Sequence, residues 1–197
     1  MDQKSRKQQA LFSLYQKYEN CLQCPLAQQG RTQVVFGEGN CNSKIMLIGE
    51  APGKYEDIQG KPFVGRSGQL LNATLELLGF TRSDVYITNI VKCRPPLNRA
   101  PAPIEIATCK KLLLTQQIEI IAPSIICTLG AVATTALLES TLPLSKIRGN
   151  FFSYQSIHII PTFHPAYILR KKNEYPVFFK DIQLVFQQVF QDRITKK

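Results

Sequence analysis

Residues 44–68, KIMLIGEAPGKYEDIQGKPFVGRSG, decide how the chain is expected to fold. The run begins with a short, partly β-branched apolar stretch, which predicts a buried strand over 44–49. A Gly- and Pro-rich loop follows with two carboxylates, Glu50 and Glu56, and a helix is predicted from about Ser67. In an open α/β sheet, ligands bind outside the carboxyl ends of the strands, so this loop is expected to border a pocket. The alternative interpretation is an ordinary acidic surface turn.

Composition and charge limit the class of protein. The chain has 197 residues, 44% of them hydrophobic, which is enough for a single domain over residues 1–197. No run approaches the roughly 20 apolar residues of a membrane span, and the first nine residues lack the apolar centre of a signal peptide. A cytoplasmic protein is therefore expected. The net charge of +10 favours a polyanionic partner such as nucleic acid, although many basic proteins bind none.

Apolar runs and helical periodicities alternate along the rest of the chain. Further strands are predicted at 84–91, 124–129 and 157–161, with a short strand within 30–40 and a hairpin over 146–154. Helices are predicted at about 5–20, 67–79, 103–121, 131–138 and 175–191. This alternation predicts an α/β fold, a single-domain three-layer α/β/α sandwich with a central, mostly parallel four-stranded sheet.

Polar side chains follow three of the predicted strands. Glu50 and Glu56 follow the first strand, Asn89 ends the second, and His164 follows the fourth. Because the carboxyl ends of parallel strands meet at one edge of a sheet, we expect these residues to converge with Phe63 on one pocket. Each residue alone is weak evidence, since an Asn at a strand end more often caps a turn. Their joint placement predicts an active site.

Four of the six cysteines form a candidate metal site. Cys21 and Cys24 make a C-x2-C motif, and Cys93 and Cys109 lie far downstream. Nothing in the sequence indicates secretion, so disulfides are not expected. Four thiolates suit structural zinc as well as an iron–sulfur centre, and the spacing alone favours zinc. Cys127 lies in an apolar run and is expected to be a buried small hydrophobe.

Several of these stretches resemble the uracil-DNA glycosylase superfamily, specifically its iron–sulfur-containing family 4. The resemblance covers about residues 21–170. The matching stretches are GEAPG with the following ED at 49–57, GKPFVGRSG at 60–68, TNIVKCRPP at 88–96 and PTFHPA at 161–166. The four cysteines of that family have counterparts in Cys21, Cys24, Cys93 and Cys109.

The resemblance implies base excision repair of DNA, in which uracil is removed by hydrolysis of its N-glycosidic bond and an abasic site remains. The target base must be flipped out of a duplex, at a cost of roughly a few kcal/mol. Phe63 is then expected to stack on the base. The amide of Asn89 has both a donor and an acceptor, which match uracil but not cytosine. No lysine is expected to form a Schiff base, so the enzyme is predicted to be monofunctional.

The resemblance also implies roles for the remaining pocket residues. His164 is expected to hydrogen-bond uracil O2 as negative charge develops there. Glu56 is expected to stabilise the sugar cation and orient a water, with Glu50 as a wall of the pocket. The exchange of these two roles stays open. Gly49 and Ala51 are expected beside the base, and backbone N–H groups around Glu50 and Ala51 are candidates to assist His164.

The cysteine site takes on a different assignment once the resemblance is included. It implies a structural [4Fe–4S] cluster, with zinc as the alternative. The expected partner is uracil-containing DNA, single- or double-stranded, with no membrane; downstream repair proteins are possible partners and a monomer is expected. The residues expected to contact DNA are Arg66, Arg94, Arg99, Tyr167 and Arg170.

Two alternative functions stay open. One is a related uracil-DNA-binding protein that becomes covalently attached through a histidine in a basic insertion. The segment 146–150 (KIRGN) is followed directly by aromatic residues and contains no histidine, which disfavours it. The other is a non-catalytic nucleic-acid clamp, disfavoured because Glu56, Asn89 and His164 are all present.

Overall fold

A computed structural model describes residues 2–190, which form one six-stranded sheet with helices on both faces. In chain order, the strands are β1 (Glu38–Gly39), β2 (Ile45–Gly49), β3 (Tyr86–Asn89), β4 (Ile125–Leu129), β5 (Phe152–Tyr154) and β6 (Ile157–Thr162). The α-helices are α1 (Gln3–Tyr18), α2 (Lys54–Gln59), α3 (Arg66–Leu77), α4 (Pro103–Cys109), α5 (Thr115–Ile121), α6 (Ala131–Leu138), α7 (Leu144–Ile147), α8 (Pro165–Arg170) and α9 (Tyr175–Gln187).

The sheet has the order β1-β3-β2-β4-β6-β5. Its four central strands are parallel, and β1 and β5 pair antiparallel at the two edges. The predicted mostly parallel α/β/α architecture is confirmed, but the predicted number of four strands is wrong. The two additional strands are two and three residues long. β1 lies within the short strand predicted at 30–40, and β5 lies within the hairpin predicted at 146–154, but the prediction counted neither in the central sheet. Segments this short show little alternation, so only pairing in the folded protein reveals that they join it.

The middle strand β2 faces two separate hydrophobic cores because successive side chains of a strand point to opposite faces. Met46 and Ile48 pack in the core beneath α1, α5 and α6. Ile45 and Leu47 pack in the core beneath α3, α8 and α9. All five residues of β2 are buried, which explains its unbroken apolar run.

Three predicted elements differ in the structure. Residues 54–59 of the predicted loop form the short helix α2, whose first turn carries the acidic residues that favour a helix N-terminus. The predicted hairpin over 146–154 is instead α7 followed by a hairpin of β5 and β6. The predicted helix over 103–121 contains a π-helical segment, Lys110–Leu114, between α4 and α5. The last helix ends at Gln187, and its predicted end at 191 lies outside the described residues.

Within the described part of the chain, none of the helices has the length and apolar character needed to cross a bilayer.

A buried ion pair fixes β6 just before the loop that carries His164. Asp181 on α9 accepts hydrogen bonds from Arg148 Nε at 2.7 Å and from Thr162 Oγ1 at 2.7 Å, and Arg148 Nη2 donates to its other oxygen. The Asp181 side chain is only 3% exposed. These donors replace water around the carboxylate. If the charge of Asp181 is removed, Arg148 is left without a counter-ion.

Asp181→Asn is expected to lower the free energy of unfolding by about 3 kcal/mol, measured by urea denaturation. The matched control is Glu139→Gln, since Glu139 also pairs with a cation, Lys110, but is 83% exposed. That change is expected to cost less than about 0.5 kcal/mol. Equal effects of the two substitutions would contradict the structural role of Asp181.

Candidate active site

A pocket of about 500 Å³ opens at the carboxyl edge of β2, β3 and β6. The parallel sheet brings together nine of the residues predicted for the base pocket and the DNA surface. These nine are Glu50, Ala51, Glu56, Phe63, Asn89, Arg99, His164, Tyr167 and Arg170. Gly49 is not among the lining residues; it lies next to Asn89 and Phe63, which are. Two predicted DNA contacts, Arg66 and Arg94, are not among the lining residues.

Glu56 is held rigidly by the backbone of the neighbouring loop. Its Oε1 accepts hydrogen bonds from Val64 N at 3.0 Å and Gly65 N at 2.8 Å. The residue is only 7% exposed, although it lines the pocket. Its position in the first turn of α2 places the carboxylate near the positive end of the helix. The fold therefore presents an oriented carboxylate to whatever occupies the pocket.

Glu50 has a different environment. It follows β2 directly and is partly exposed on the pocket wall. Burial raises the pKa of this carboxyl group above its usual range, since a low-polarity environment disfavours the charged form. The two carboxylates are thus distinguished by their surroundings: Glu56 is anchored by two donors, and Glu50 is more readily protonated than a solvated glutamate.

Asn89 and Phe63 approach the pocket floor through space left by Gly49. A Cβ at Gly49 would lie 2.5 Å from both Asn89 Oδ1 and Phe63 Cζ, closer than atoms pack. Asn89 is only 1% exposed, yet its Oδ1 has no hydrogen-bond partner within the described chain. Buried polar atoms are normally paired, so this oxygen is available for a ligand.

Phe63 adopts the left-handed backbone region, with φ of 52°, which is uncommon for a bulky residue. Arg82 holds this conformation by donating from Nη1 to Phe63 O at 3.2 Å and from Nη2 to Pro62 O at 2.6 Å. The carbonyl oxygen of Phe63 also packs against Gly68, so closely that a Cβ on residue 68 would lie 1.8 Å from it. Backbone strain of this kind is typical of ligand sites, where surrounding contacts maintain it.

His164 enters the pocket as a neutral donor. It caps α8, and its Nδ1 accepts a hydrogen bond from Ala166 N at 3.1 Å. Burial, with the positive charge of Arg170, lowers the pKa of His164 to about 4, against an opposing effect of Glu56. The ring is therefore neutral at pH 7, and its hydrogen lies on Nε2 because Nδ1 is an acceptor. The imidazole is near-parallel to the Phe63 ring, with centroids 5.7 Å apart.

The four arginines predicted to contact DNA differ in how far they are paired within the protein. Arg170 is exposed and lines the pocket, whereas Arg66 is exposed at the start of α3 and does not line it. Arg94 Nε donates to Asn98 Oδ1 at 2.8 Å. Arg99 forms a two-point ion pair with the buried carboxylate of Glu105. The guanidinium of Arg99 is therefore paired with a carboxylate of the same chain, whereas the side chain of Arg170 is exposed at the surface.

The four predicted cysteine ligands line one cavity together with Arg31 and Lys92. Arg31 Nη1 donates to Cys93 Sγ at 2.7 Å, and Lys92 N donates to Cys109 Sγ at 3.3 Å. Burial raises the pKa of Cys109 to about 12, and Lys92 opposes this shift. Across residues 2–190, no three His, Cys, Asp or Glu side chains converge closely enough to hold one metal ion. The thiols surround a space and do not meet at a point.

A family model described as the uracil DNA glycosylase superfamily matches residues 36–188. The chain belongs to this superfamily. A type-4 uracil-DNA glycosylase of Thermotoga maritima is 47% identical over 80% of this chain and 82% of the relative. One of Saccharolobus solfataricus is 44% identical over 89% of this chain and 84% of the relative. A type-5 enzyme of Pyrobaculum aerophilum is 29% identical over 75% of this chain. The predicted resemblance to the type-4 group of the superfamily is confirmed.

Sequence reasoning missed several residues at the two sites. Among them, Pro95 and Asn98 line the pocket, and Lys92 is buried beside Asn89 and the cysteines. All three fall within or next to the stretch 88–96 that carries the resemblance, which was the available signal. Burial lowers the pKa of Lys92 to about 7, against opposing effects of Cys109 and Cys93. Nothing in the sequence indicates that this lysine is fully buried.

His164 is expected to stay neutral, with its hydrogen on Nε2, from pH 8 down to about pH 5, because its pKa is lowered to about 4. The measurement is a pH titration of the imidazole nitrogen chemical shifts by NMR. The chain has two histidines, so His158→Gln assigns the signals. A titration midpoint near the ordinary value of about 6.5, or a proton on Nδ1 at neutral pH, would refute this electrostatic assignment.

Proposed function

We propose that this protein is a monofunctional uracil-DNA glycosylase, which hydrolyses the N-glycosidic bond of uracil in DNA and leaves an abasic site. The observation that carries the proposal is the unpaired buried Oδ1 of Asn89 at the floor of a pocket that also holds Glu56 and His164. Membership of the superfamily and the type-4 relatives support the substrate. The partner is therefore uracil-containing DNA.

Base recognition is assigned to Asn89 and Phe63. A carboxamide can donate to uracil O4 while its oxygen accepts from N3–H. Cytosine presents an amine and an unprotonated N3 at these positions, so both contacts become mismatched. Leaving such groups unpaired in a buried site is strongly unfavourable, which provides discrimination. Phe63, fixed by its strained backbone, supplies a flat apolar surface for the flipped base.

Bond cleavage is assigned to His164 and Glu56. Departure of the base builds negative charge on uracil O2 and positive charge on the sugar. The Nε2–H of a neutral imidazole can donate a hydrogen bond to O2 as this charge grows, and the imidazole keeps its proton throughout. The anchored carboxylate of Glu56 suits stabilisation of the sugar cation and orientation of the attacking water. Glu50, with its raised pKa, is assigned to the wall of the pocket.

A [4Fe–4S] cluster is proposed for Cys21, Cys24, Cys93 and Cys109. Four cysteines line one cavity, and an all-thiolate donor set is the one that such clusters use. The same donor set can hold zinc, and the resemblance to family 4 favours the cluster. When bound, the cluster would supply a structural tie between the segment after α1, the 93–99 loop and α4. The guanidinium of Arg31 and the backbone N–H of Lys92 would face its sulfur ligands.

DNA contact is assigned to the four arginines named above and to Tyr167. Arg66, Arg94, Tyr167 and Arg170 are proposed to contact the DNA backbone, with Arg99 shared between DNA and Glu105. The net charge of +10 supports salt-sensitive binding. A monomeric state, a cytoplasmic location and contacts with downstream repair proteins stay predictions.

The decisive test is release of uracil from an oligonucleotide with a single uracil, beside matched cytosine and thymine strands. We expect an alkali-labile site only in the uracil strand. Glu56→Gln is expected to reduce the single-turnover rate by roughly 10²-fold or more, and Glu50→Gln by less than about tenfold, because only Glu56 is anchored toward the sugar.

The outcomes of this assay separate the alternatives. Tight binding of uracil-DNA without base release identifies a clamp, and a protein–DNA adduct stable to denaturation identifies covalent trapping. Either result would overturn the glycosylase proposal. A larger loss for Glu50→Gln than for Glu56→Gln would exchange the two carboxylate roles and leave the glycosylase proposal in place.

The cluster is tested by cysteine replacement. Cys109→Ser is expected to remove the visible absorbance and most of the bound iron and acid-labile sulfide, because a ligand is lost. Cys41→Ser and Cys127→Ser are matched controls, since both thiols are buried but lie outside the cysteine cavity. Retained iron in Cys109→Ser, or a parent protein that binds zinc instead, would contradict the cluster.

A further inference from the structure

Lys92 lines the cysteine cavity and hydrogen-bonds the backbone of Asn89, a residue of the base pocket. Its side chain is fully buried, with 0% exposure. Its Nζ donates to Asn89 O at 2.6 Å and to Thr88 Oγ1 at 2.5 Å. Its backbone N–H donates to Cys109 Sγ at 3.3 Å, and its backbone carbonyl accepts from Val35 N at 2.8 Å. A single residue therefore holds the main chain of the predicted base reader and contacts a predicted metal ligand.

A lysine is a costly choice for this position. An ammonium group that leaves water must be compensated by good partners, and an apolar side chain of similar volume would fill the same space without that cost. The two acceptors of Nζ are uncharged oxygen atoms. The side chain lines the cysteine cavity, and its Nζ donates to the backbone of Asn89. The position thus suits a long hydrogen-bond donor that reaches from the cysteine cavity to the main chain of Asn89.

The hydrogen bond from Lys92 holds the backbone of Asn89 and not its side chain. Its Oδ1 makes no hydrogen bond to any described residue, so no hydrogen bond to that oxygen sets the amide's orientation. The backbone of Asn89, in contrast, is held on both sides. On the preceding side, Asn89 is paired with Gly49 in the parallel ladder. On the following side, its carbonyl is held by Lys92.

We propose that Lys92 is a positioning residue that couples the cysteine-bound centre to uracil recognition by fixing the backbone of Asn89. This inference rests on the proposed roles of Asn89 and of the four cysteines. Lys92 does not touch the base. It transmits the geometry of the cysteine site to the base reader, as outer-shell hydrogen bonds do for other metal centres. The cysteine-bound centre then acts on specificity as well as on the stability of the fold.

The test compares Lys92→Met with Arg31→Met at equal iron and sulfide content per chain. Both substitutions remove a basic group from the lining of the cysteine cavity, but the hydrogen bonds of Arg31 go to Cys93 Sγ and Cys21 O, whereas those of Lys92 Nζ include Asn89 O. The readout is the affinity for free uracil by calorimetry, with the ratio of uracil to cytosine release as a second measurement. Lys92→Met is expected to weaken uracil binding roughly tenfold or more and to lower that ratio. Arg31→Met is expected to leave uracil affinity within about twofold.

Further variants make each outcome decisive. If Lys92→Met does not fold, Thr88→Val takes its place, because it removes one acceptor of Nζ with little change in shape; a loss of roughly threefold or more in uracil affinity is expected. Unchanged affinity in the variant that folds overturns the proposal, as does an equal loss in Arg31→Met. Asn89→Ala is measured in parallel: if it binds uracil normally, the assignment of Asn89 as base reader fails instead.

Discussion

The pocket depends on the absence of a side chain at Gly49. This residue lies opposite Asn89 in the parallel ladder, and Ile90 N donates to its carbonyl at 2.9 Å. The pairing continues beyond the strands, where Val91 N donates to Glu50 O at 3.2 Å. Two strand ends are therefore fixed side by side, and only glycine leaves room between them for a carboxamide and an aromatic ring. The geometry of the base pocket is thus set by the sheet itself.

The sequence predicts the centre of this fold well because burial of both faces leaves a clear signal. The four parallel strands are β-branched apolar runs, and each is separated from the next by a segment with helical periodicity. The edges of the sheet carry a weaker signal: the sequence predicts a strand within 30–40 and a hairpin over 146–154, but not that these segments extend the sheet. It also places Lys146 in the hairpin, whereas Lys146 belongs to the short helix α7 that precedes β5. Tertiary contacts decide such short elements.

The sequence predicts the site where topology alone brings residues together. Glu50, Asn89 and His164 follow parallel strands and meet for that reason. The environment of each side chain is not predictable in the same way. The anchoring of Glu56 by the backbone of residues 64 and 65 requires the left-handed turn at Phe63. Likewise, composition gives no reason to expect a charged residue such as Lys92 in the interior.

A neutral His164 has a consequence for the catalytic cycle. Its hydrogen stays on Nε2 because Nδ1 is occupied as an acceptor by the first turn of α8. A donor that never gives up its proton does not have to be recharged by solvent before the next substrate arrives. In the proposed reaction, the base departs as an anion, the attacking water loses a proton as it forms the hydroxyl of the abasic sugar, and solvent carries a proton to the released base. His164 is then in the same protonation state before and after each turnover, so this residue needs no proton transfer to be reset.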